Sequence, residues 1–178
     1  MADPIAVVAY DPGWPALYAV LRAPVATALG GMAVAIEHIG STAVPGLPAK
    51  PIIDMDVAIR DTSDLPATIE RLAPLGYIHQ GEQSILGRDA FAWPTGMCRH
   101  HLYVCALDHG EYRRHLLFRD YLRAHADAEA TYATVKRQLA KRYRTEREAY
   151  AEAKGPFVAQ VLVQAEEWAC ATNWDHIR

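Results

Sequence analysis

Two short apolar runs, the second of which contains an acidic pair, constrain this chain more than any other feature. The runs extend from Ala33 to Ile39 and from Ile52 to Ile59, and each is typical of a short buried strand. Side chains at positions i and i+2 of a strand point to the same face, so Asp54 and Asp56 are expected side by side. Two adjacent carboxylates are unfavourable there unless a cation or a polar network stabilises them. The pair therefore indicates a polar site on a strand of the core.

A Gly-Ser turn precedes the acidic pair and suggests what the site binds. Gly40 and Ser41 follow the first run, and such a turn offers backbone N–H groups and a hydroxyl to phosphate oxygens. Mg²⁺ (or Mn²⁺ in its place) binds through one or two carboxylates and the phosphate oxygens of a substrate, so Asp54 and Asp56 predict a metal site. Lys50 either meets a phosphate or is solvated. The alternative for the whole group is a structural network with nearby arginines.

Overall charge and composition exclude several classes of function. The net charge is −3 and the pI is near 6.2, so no global basic field favours nucleic acid or membrane as a partner. No apolar stretch approaches the roughly 20 residues of a membrane span, and no signal peptide is recognised at the N-terminus. Cys98, Cys105 and Cys170 are odd in number and lack C-x-x-C spacing. Reduced thiols in a cytoplasmic protein are therefore expected.

The order of predicted elements gives an α+β fold class within one domain over residues 1–178. An α+β core over about residues 1–108 precedes a helical part over about residues 109–178. Turn and cap residues set the boundaries of the elements. Besides the two runs above, the expected strands are Tyr77 to Gln80, Ile85 to Trp93 and His101 to Leu107. The expected helices are Trp14 to Leu29, Leu65 to Leu75, Glu111 to His125, Ala128 to Tyr150 and Pro156 to Trp168.

Three histidines lie near the predicted site. His100 and His101 begin the last strand, and since neighbours on a strand point to opposite faces, one of them must face inward. That histidine is either a ligand or acid–base group or a structural residue. His38 precedes the Gly-Ser turn, and a lone strand histidine is more often a structural hydrogen-bonding group.

Basic residues in the helical part have two interpretations each. Arg119, next to Asp120, either forms an intramolecular ion pair or reaches a triphosphate. The run from Lys136 to Arg144 is either a solvated helix face or a phosphate or RNA contact. Trp168 and Trp174 are expected either in the core or packed at the end of the last helix.

Several motifs together resemble the GrpB-like family of the nucleotidyltransferase superfamily. The most specific is the segment His38-Ile39-Gly40-Ser41-Thr42 followed by Val44-Pro45-Gly46-Leu47 and Ala49-Lys50-Pro51-Ile52-Ile53-Asp54. The others are Tyr10-Asp11-Pro12 with Trp14, Leu75-Gly76-Tyr77, His101-Leu102-Tyr103-Val104, Phe118-Arg119-Asp120-Tyr121-Leu122 and Tyr132 with Lys136. The resemblance covers nearly the whole chain.

The resemblance implies a nucleotidyltransferase-like fold, a small mixed β-sheet flanked by helices, followed by a helical C-terminal third. It also implies that Gly40, Ser41 and Thr42 bind nucleotide phosphates and that Asp54 and Asp56 hold the divalent metal. Lys50 and Arg119 would then offset the triphosphate charge. A similar domain fused to a kinase of the CoA pathway suggests a nucleotide or CoA-like ligand.

One position departs from the pattern of the superfamily. A third acid is usual on a later strand, whereas the corresponding strand here reads Arg99-His100-His101-Leu102-Tyr103-Val104. His100 or His101 could replace that acid as a ligand or general base. The first hypothesis is an Mg²⁺-dependent transfer of a nucleotidyl group from an NTP to an acceptor. The second is a non-catalytic module that binds a nucleotide or a CoA-like molecule.

Overall fold

The computed structural model describes residues 4–176, and within them five strands form one mixed sheet in the order β1-β2-β5-β4-β3. The strands β2 and β5 are parallel, and the other neighbouring pairs are antiparallel. The strands are β1 Ala33–Ile39, β2 Ile53–Ile59, β3 Ile78–His79, β4 Arg88–Ala92 and β5 His100–Ala106. The helices are α1 Trp14–Leu29, α2 Leu65–Leu72, α3 Gly110–Ala124, α4 Ala126–Tyr143, α5 Arg147–Ala153 and α6 Gly155–Thr172.

One face of the sheet, here called the apolar face, packs against α1 and α2. It is formed on the central strands by Ile53, Met55, Val57, Leu102 and Val104, each at most 1% exposed. These residues alternate along β2 and β5 with the polar ones, which is the period expected of strands with two different faces. The main core therefore lies between this face and the first two helices.

The helical part covers the opposite face. Helix α3 packs across the sheet through Tyr112 and Leu116, both nearly fully buried. A second cluster joins α3, α4 and α6 to the loop after β1, where Val44 and Leu47 are buried. The loop that carries the Gly-Ser turn is thus held by helices from the far end of the chain.

The predicted fold class is confirmed, and the helix Trp14–Leu29 and the strand Ala33–Ile39 have the predicted bounds. The expected helix from Ala128 to Tyr150 is wrong as one element, because the chain breaks between α4 and α5. Arg144 ends α4 with φ 33°, and its carbonyl accepts a hydrogen bond from the Ile5 N–H at 2.7 Å. The break turns α5 so that Tyr150 is buried, with 1% exposed. The ring is buried by contacts with residues distant in the chain, and helical periodicity in the sequence does not predict such contacts.

Other boundaries differ by a few residues. The helix predicted to end at Leu75 becomes a 3₁₀ turn after Leu72, before Gly76 with φ 88°. The helix α6 continues to Thr172 and ends at Asn173, which has a left-handed backbone. In residues 4–176 no helix is long and apolar enough to cross a membrane.

Candidate active site

Asp54 and Asp56 project from β2 on the face opposite the apolar face. In the antiparallel pairing, Asp56 lies opposite Glu37 of β1. In the parallel pairing, Asp54 lies beside His101 and Asp56 beside Tyr103 of β5. Residues in register share a face of the sheet. These five residues define what is called here the acidic face.

Asp54 is held between a histidine and a glycine. Nδ1 of His101 donates a hydrogen bond to Oδ1 of Asp54 at 2.6 Å. The other carboxylate oxygen lies directly against Gly40, where any Cβ would collide with it, and Gly40 has φ +71°. Only glycine tolerates both the close approach and the positive φ. The turn after β1 is therefore placed at the carboxylate of Asp54.

Asp56 is buried more deeply, with 1% exposed. Nδ1 of His115, on α3, donates to its Oδ2 at 2.7 Å, whereas Oδ1 is buried and has no hydrogen-bond partner within residues 4–176. Burial raises the pKa of Asp56, and the nearby His115 and Arg88 oppose that rise. A buried carboxylate oxygen without a partner is costly, and a cation beside it would lower that cost.

His100 lies on the apolar face, away from the acids. It is fully buried, its Nε2 hydrogen-bonds with the Tyr77 hydroxyl at 2.7 Å, and its Nδ1 donates to the Cys98 carbonyl at 2.8 Å. Burial lowers its pKa. Of the two histidines considered as site residues, the structure brings His101 to Asp54 and separates His100 from it.

Thr42 is turned into the protein beside the Gly-Ser turn. It is 1% exposed, and its hydroxyl hydrogen-bonds with Nε2 of His38 at 2.9 Å. Arg123 of α3 donates two hydrogen bonds to the carbonyl of Ala43, at 2.9 and 2.7 Å. The turn is therefore fixed from behind by Thr42 and by α3, while Ser41 stays partly exposed.

Three lysines lie near the Gly-Ser turn. Lys50, Lys136 and Lys154 are called here the lysine cluster. Lys50 and Lys154 lie over the Tyr150 ring, with Nζ 5.4 and 4.8 Å from its centroid. Lys136 is 2% exposed, lies over the ring of Tyr132 and donates to the Pro48 carbonyl. The hydroxyl of Tyr132 lies beside Ser41, which connects the lysine cluster to the Gly-Ser turn.

Burial lowers the pKa of every member of the lysine cluster. The pKa of Lys136 falls to about 7, with Lys154 contributing, and that of Lys154 falls to about 8, with Lys50 contributing. Asp54 opposes the fall at Lys50 and at Lys154. Lysines that disfavour their own charge in this way would regain it if an anion were bound among them.

Arg119 is occupied by protein partners. Its guanidinium donates to Glu37 and to Asp120, both at 2.7 Å, and to the carbonyl of His38 at 3.0 Å. Of the two interpretations that the sequence left open, the structure contains the ion pair. The basic run divides similarly, because Lys136 is buried whereas Arg137, Lys141, Arg142 and Arg144 are exposed.

A family model described as GrpB protein matches residues 4–164. The chain belongs to the GrpB family. The resemblance drawn from the motifs around Gly40 and Asp54 is therefore confirmed, and the matched range includes every residue of the acidic face and of the lysine cluster.

Relatives of this GrpB-family chain cover nearly all of it. It is 42% identical over 167 residues to the UPF0157 protein PA4798 of Pseudomonas aeruginosa, covering 92% of this chain and 68% of that protein. It is 31% identical over 169 residues to the UPF0157 protein YqkA of Bacillus subtilis, covering 95% of this chain and 49% of that one. A protein named dephospho-CoA kinase, from Mycolicibacterium paratuberculosis, is 29% identical over 198 residues, covering 96% of this chain and 48% of its own length. The chain thus spans about half the length of the last two.

Solved structures support the same fold. The crystal structure of GrpB from Enterococcus faecalis aligns with a TM-score of 0.82 at 30% identity, covering 92% of this chain and 99% of that one. A cytoplasmic RNA terminal U-transferase aligns with a TM-score of 0.53 at 19% identity, over 76% of this chain and 43% of that one. The Cid1 poly(U) polymerase gives 0.51 at 13% identity, over 79% and 42%. The last two show the fold alone, and that fold is the predicted nucleotidyltransferase-like one.

The residues present fit a metal that takes few protein ligands. Within residues 4–176, no three side chains of His, Cys, Asp or Glu are grouped so as to hold a metal ion by themselves. Asp54 and Asp56 nevertheless lie on one face, and Oδ1 of Asp56 is buried without a partner. Mg²⁺ often binds through one or two carboxylates and completes its octahedron with water and substrate oxygens. The two acids fit that pattern.

The sequence did not single out His115, Lys154 or Arg88. His115 lies four residues before Arg119, so the two share a face of α3, and this helical spacing was the available signal. Lys154 lies four residues after Tyr150 at the end of α5, and both come next to Lys50 because of the chain break after α4, which the sequence did not predict. Arg88 faces the site because of its register opposite Cys105 of β5, and strand register is a tertiary property.

Proposed function

We propose that this chain is a cytoplasmic, Mg²⁺-dependent nucleotidyltransferase that moves a nucleotidyl group from an NTP to the hydroxyl of a small acceptor. The observation that carries the proposal is the convergence, where β1 ends and β2 begins, of Asp54, Asp56, the Gly40-Ser41 turn and the lysine cluster. Paired carboxylates, backbone amides and lysines are the groups that bind metal-complexed phosphates. The membership in the GrpB family and the fold similarity to U-transferases support this choice.

Each group has a defined task in the proposed reaction. Asp54 and Asp56 hold the divalent cation, which when bound polarises the α-phosphate and favours ionisation of the acceptor hydroxyl. Gly40 and Ser41 hold phosphate oxygens, and the lysine cluster neutralises the β- and γ-phosphates. Such a site works mainly by positioning and electrostatic stabilisation.

The proton leaves through the histidine of the acidic face. A carboxylate can only accept, so the 2.6 Å contact makes Nδ1 of His101 the donor to Asp54, and the neutral ring then has Nε2 as its acceptor atom. The acceptor oxygen bonds to the α-phosphorus, the bond to the pyrophosphate oxygen breaks, and pyrophosphate leaves with the electron pair. The hydroxyl proton goes to Nε2, and Asp54 stabilises the resulting imidazolium.

A binding module for a nucleotide or a CoA-like molecule is the second candidate. It is favoured by the site face of β5, which presents His101 and Tyr103 where a third acid would strengthen metal binding. The similarity to proteins named dephospho-CoA kinase adds to it. In this candidate the lysine cluster binds phosphates and no bond is broken.

The first measurement tests the site assignment, and a second one separates the two candidates. Calorimetric titration with Mg²⁺ and each NTP is expected to show binding that falls at least about tenfold in Asp54→Asn and in Asp56→Asn, because each removes half of the charge of the pair. Asp108→Asn is the matched control, since this exposed acid lies beyond β5. Unchanged affinity in both site variants would make the site assignment wrong.

Pyrophosphate release then tests the chemistry. The protein is incubated with labelled NTPs, Mg²⁺ or Mn²⁺ and a pool of metabolites, and release is expected to fall about 100-fold or more in either site variant. Tight binding without release across the pool would favour the binding module over the transferase.

A further inference from the structure

A cavity of about 260 Å³ opens beside Asp54, between the acidic face and the helices α3 and α6. Its apolar wall is formed by Ile39 of β1, Phe118 of α3, and Val158 and Leu162 of α6. The lysine cluster does not line it. Asp54 thus has the lysine cluster on one side and, on the other, a cavity whose apolar wall faces polar and charged side chains.

Arg88 is the unusual residue of this cavity. It pairs in register with Cys105, so it projects from β4 on the same side of the sheet as the acidic face, and it is only 9% exposed. Its guanidinium lies over the ring of Tyr103, 4.2 Å from the centroid. Its Nε is buried without a hydrogen-bond partner, and no carboxylate of residues 4–176 forms a salt bridge with it.

A second arginine in the same cavity, in contrast, has a carboxylate partner. Arg114 also lines it, but its guanidinium donates to both carboxylate oxygens of Glu111, at 3.0 and 2.9 Å. Burying a cation without a partner is costly, and truncation of one member of a buried pair is correspondingly destabilising. Asp56 is near enough for Arg88 to lower its pKa, but the two form no salt bridge, so the guanidinium can still pair with an anion at the wall of the cavity that touches Asp54.

We propose that this cavity binds the acceptor, a small organic molecule with a carboxylate on an apolar body, and that Arg88 anchors the carboxylate. The planar guanidinium fork matches the two oxygens of a carboxylate, and the stacked Tyr103 ring fixes its orientation. The apolar body lies against Phe118 and Leu162, and the acceptor hydroxyl points to the pair formed by Asp54 and His101. The word acceptor rests on the proposed transfer reaction, whereas the binding of an organic anion does not.

The test uses two probes of the same shape and different charge, 4-hydroxybenzoate and 4-hydroxybenzamide. Their affinities for the full chain are measured by NMR titration. The unsubstituted protein is expected to bind the benzoate at least tenfold more tightly than the amide. Arg88→Gln is expected to reduce that ratio to about one while it leaves the amide affinity within about twofold, because only the charge-assisted contact is lost. Arg71→Gln is the control, since this exposed arginine bonds to the Leu29 carbonyl, away from the cavity.

Leu162→Trp keeps the test decisive if Arg88→Gln does not fold. The larger side chain fills the cavity from α6 without replacing Arg88, and both probes are then expected to lose binding. The proposal is overturned if the unsubstituted protein binds the benzoate no more tightly than the amide. It is also overturned if Arg88→Gln or Leu162→Trp still binds the benzoate more tightly than the amide. A loss of Mg²⁺–NTP affinity in Arg88→Gln, with the benzoate unaffected, would also overturn it, because the anion would then be a phosphate of the nucleotide. Benzoate selectivity without any pyrophosphate release would refute the transferase and leave this site standing.

Discussion

His100 and His101 are neighbours in the chain, yet on β5 they lie on opposite faces of the sheet and have different hydrogen-bond partners. On the apolar face, His100 is fully buried and bonded to the Tyr77 hydroxyl, and His38 is 8% exposed and bonded to the Thr42 hydroxyl. On the other side, His101 pairs with Asp54, and His115 of α3 pairs with Asp56.

The difference places one residue type in two electrostatic environments. A buried histidine bonded to a hydroxyl is held neutral, because burial disfavours the imidazolium; at His38 the nearby Asp54 opposes this effect without overcoming it. A histidine paired with a carboxylate can accept a proton with its charge compensated, which is what a general base needs. The alternation of side chains along β5 separates the two histidines. Three predictions test the difference between the two faces.

The largest effect is expected from acid titration of His38. Burial lowers the pKa of His38 to about 4, below the 6.5 of an unperturbed histidine, so the unfolded state binds more protons between these values. Its stabilising contribution is complete above pH 6.5 and is lost as the pH falls towards 4, amounting to up to about 3 kcal/mol. Urea unfolding at pH 7 and pH 4 measures this loss. The variant His38→Gln keeps every titrating carboxylate, so it should lose less stability between pH 7 and pH 4 than the unsubstituted protein does. Equal losses in the variant and the unsubstituted protein would refute the prediction.

The next effect compares the neighbouring histidines directly. His100→Ala leaves the buried hydroxyl of Tyr77 without its partner and is expected to lower the free energy of unfolding by about 2 kcal/mol. His101→Ala, at a half-exposed position, is expected to change it by no more than about 0.5 kcal/mol. Chemical denaturation gives both values. Nucleotide binding of the folded His100→Ala protein should be unchanged, and a loss of Mg²⁺–NTP affinity there would show that the two faces are not independent.

The two faces also differ in how much of them the sequence predicts. The apolar runs and their alternation predict β1 and β2, and an i, i+2 spacing is enough to place Asp54 beside Asp56. The sequence does not predict which of His100 and His101 contacts these acids, because that depends on the register of β5 against β2. The contacts of His115, Arg88 and the lysine cluster join residues distant in the chain, and only the folded backbone brings them together.

The smallest effect is expected at the most buried acid of the acidic face, and its sign is opposite to that of the first two. Asp56→Asn removes a buried charge and retains an oxygen that accepts from His115, so stability at pH 7 should rise by about 1 kcal/mol while Mg²⁺–NTP affinity falls at least about tenfold. Because burial raises the pKa of Asp56, its ionised form destabilises the fold at neutral pH, and this penalty disappears as the pH falls towards 3.8. The gain from Asp56→Asn, measured by urea unfolding at several pH values, should therefore shrink on acidification. Asp54→Asn is the comparison, because this acid is 26% exposed whereas Asp56 is 1% exposed. A loss of stability in Asp56→Asn at pH 7 would mean that the pair with His115 stabilises the fold, and that the acidic face is built for structure as the apolar face is.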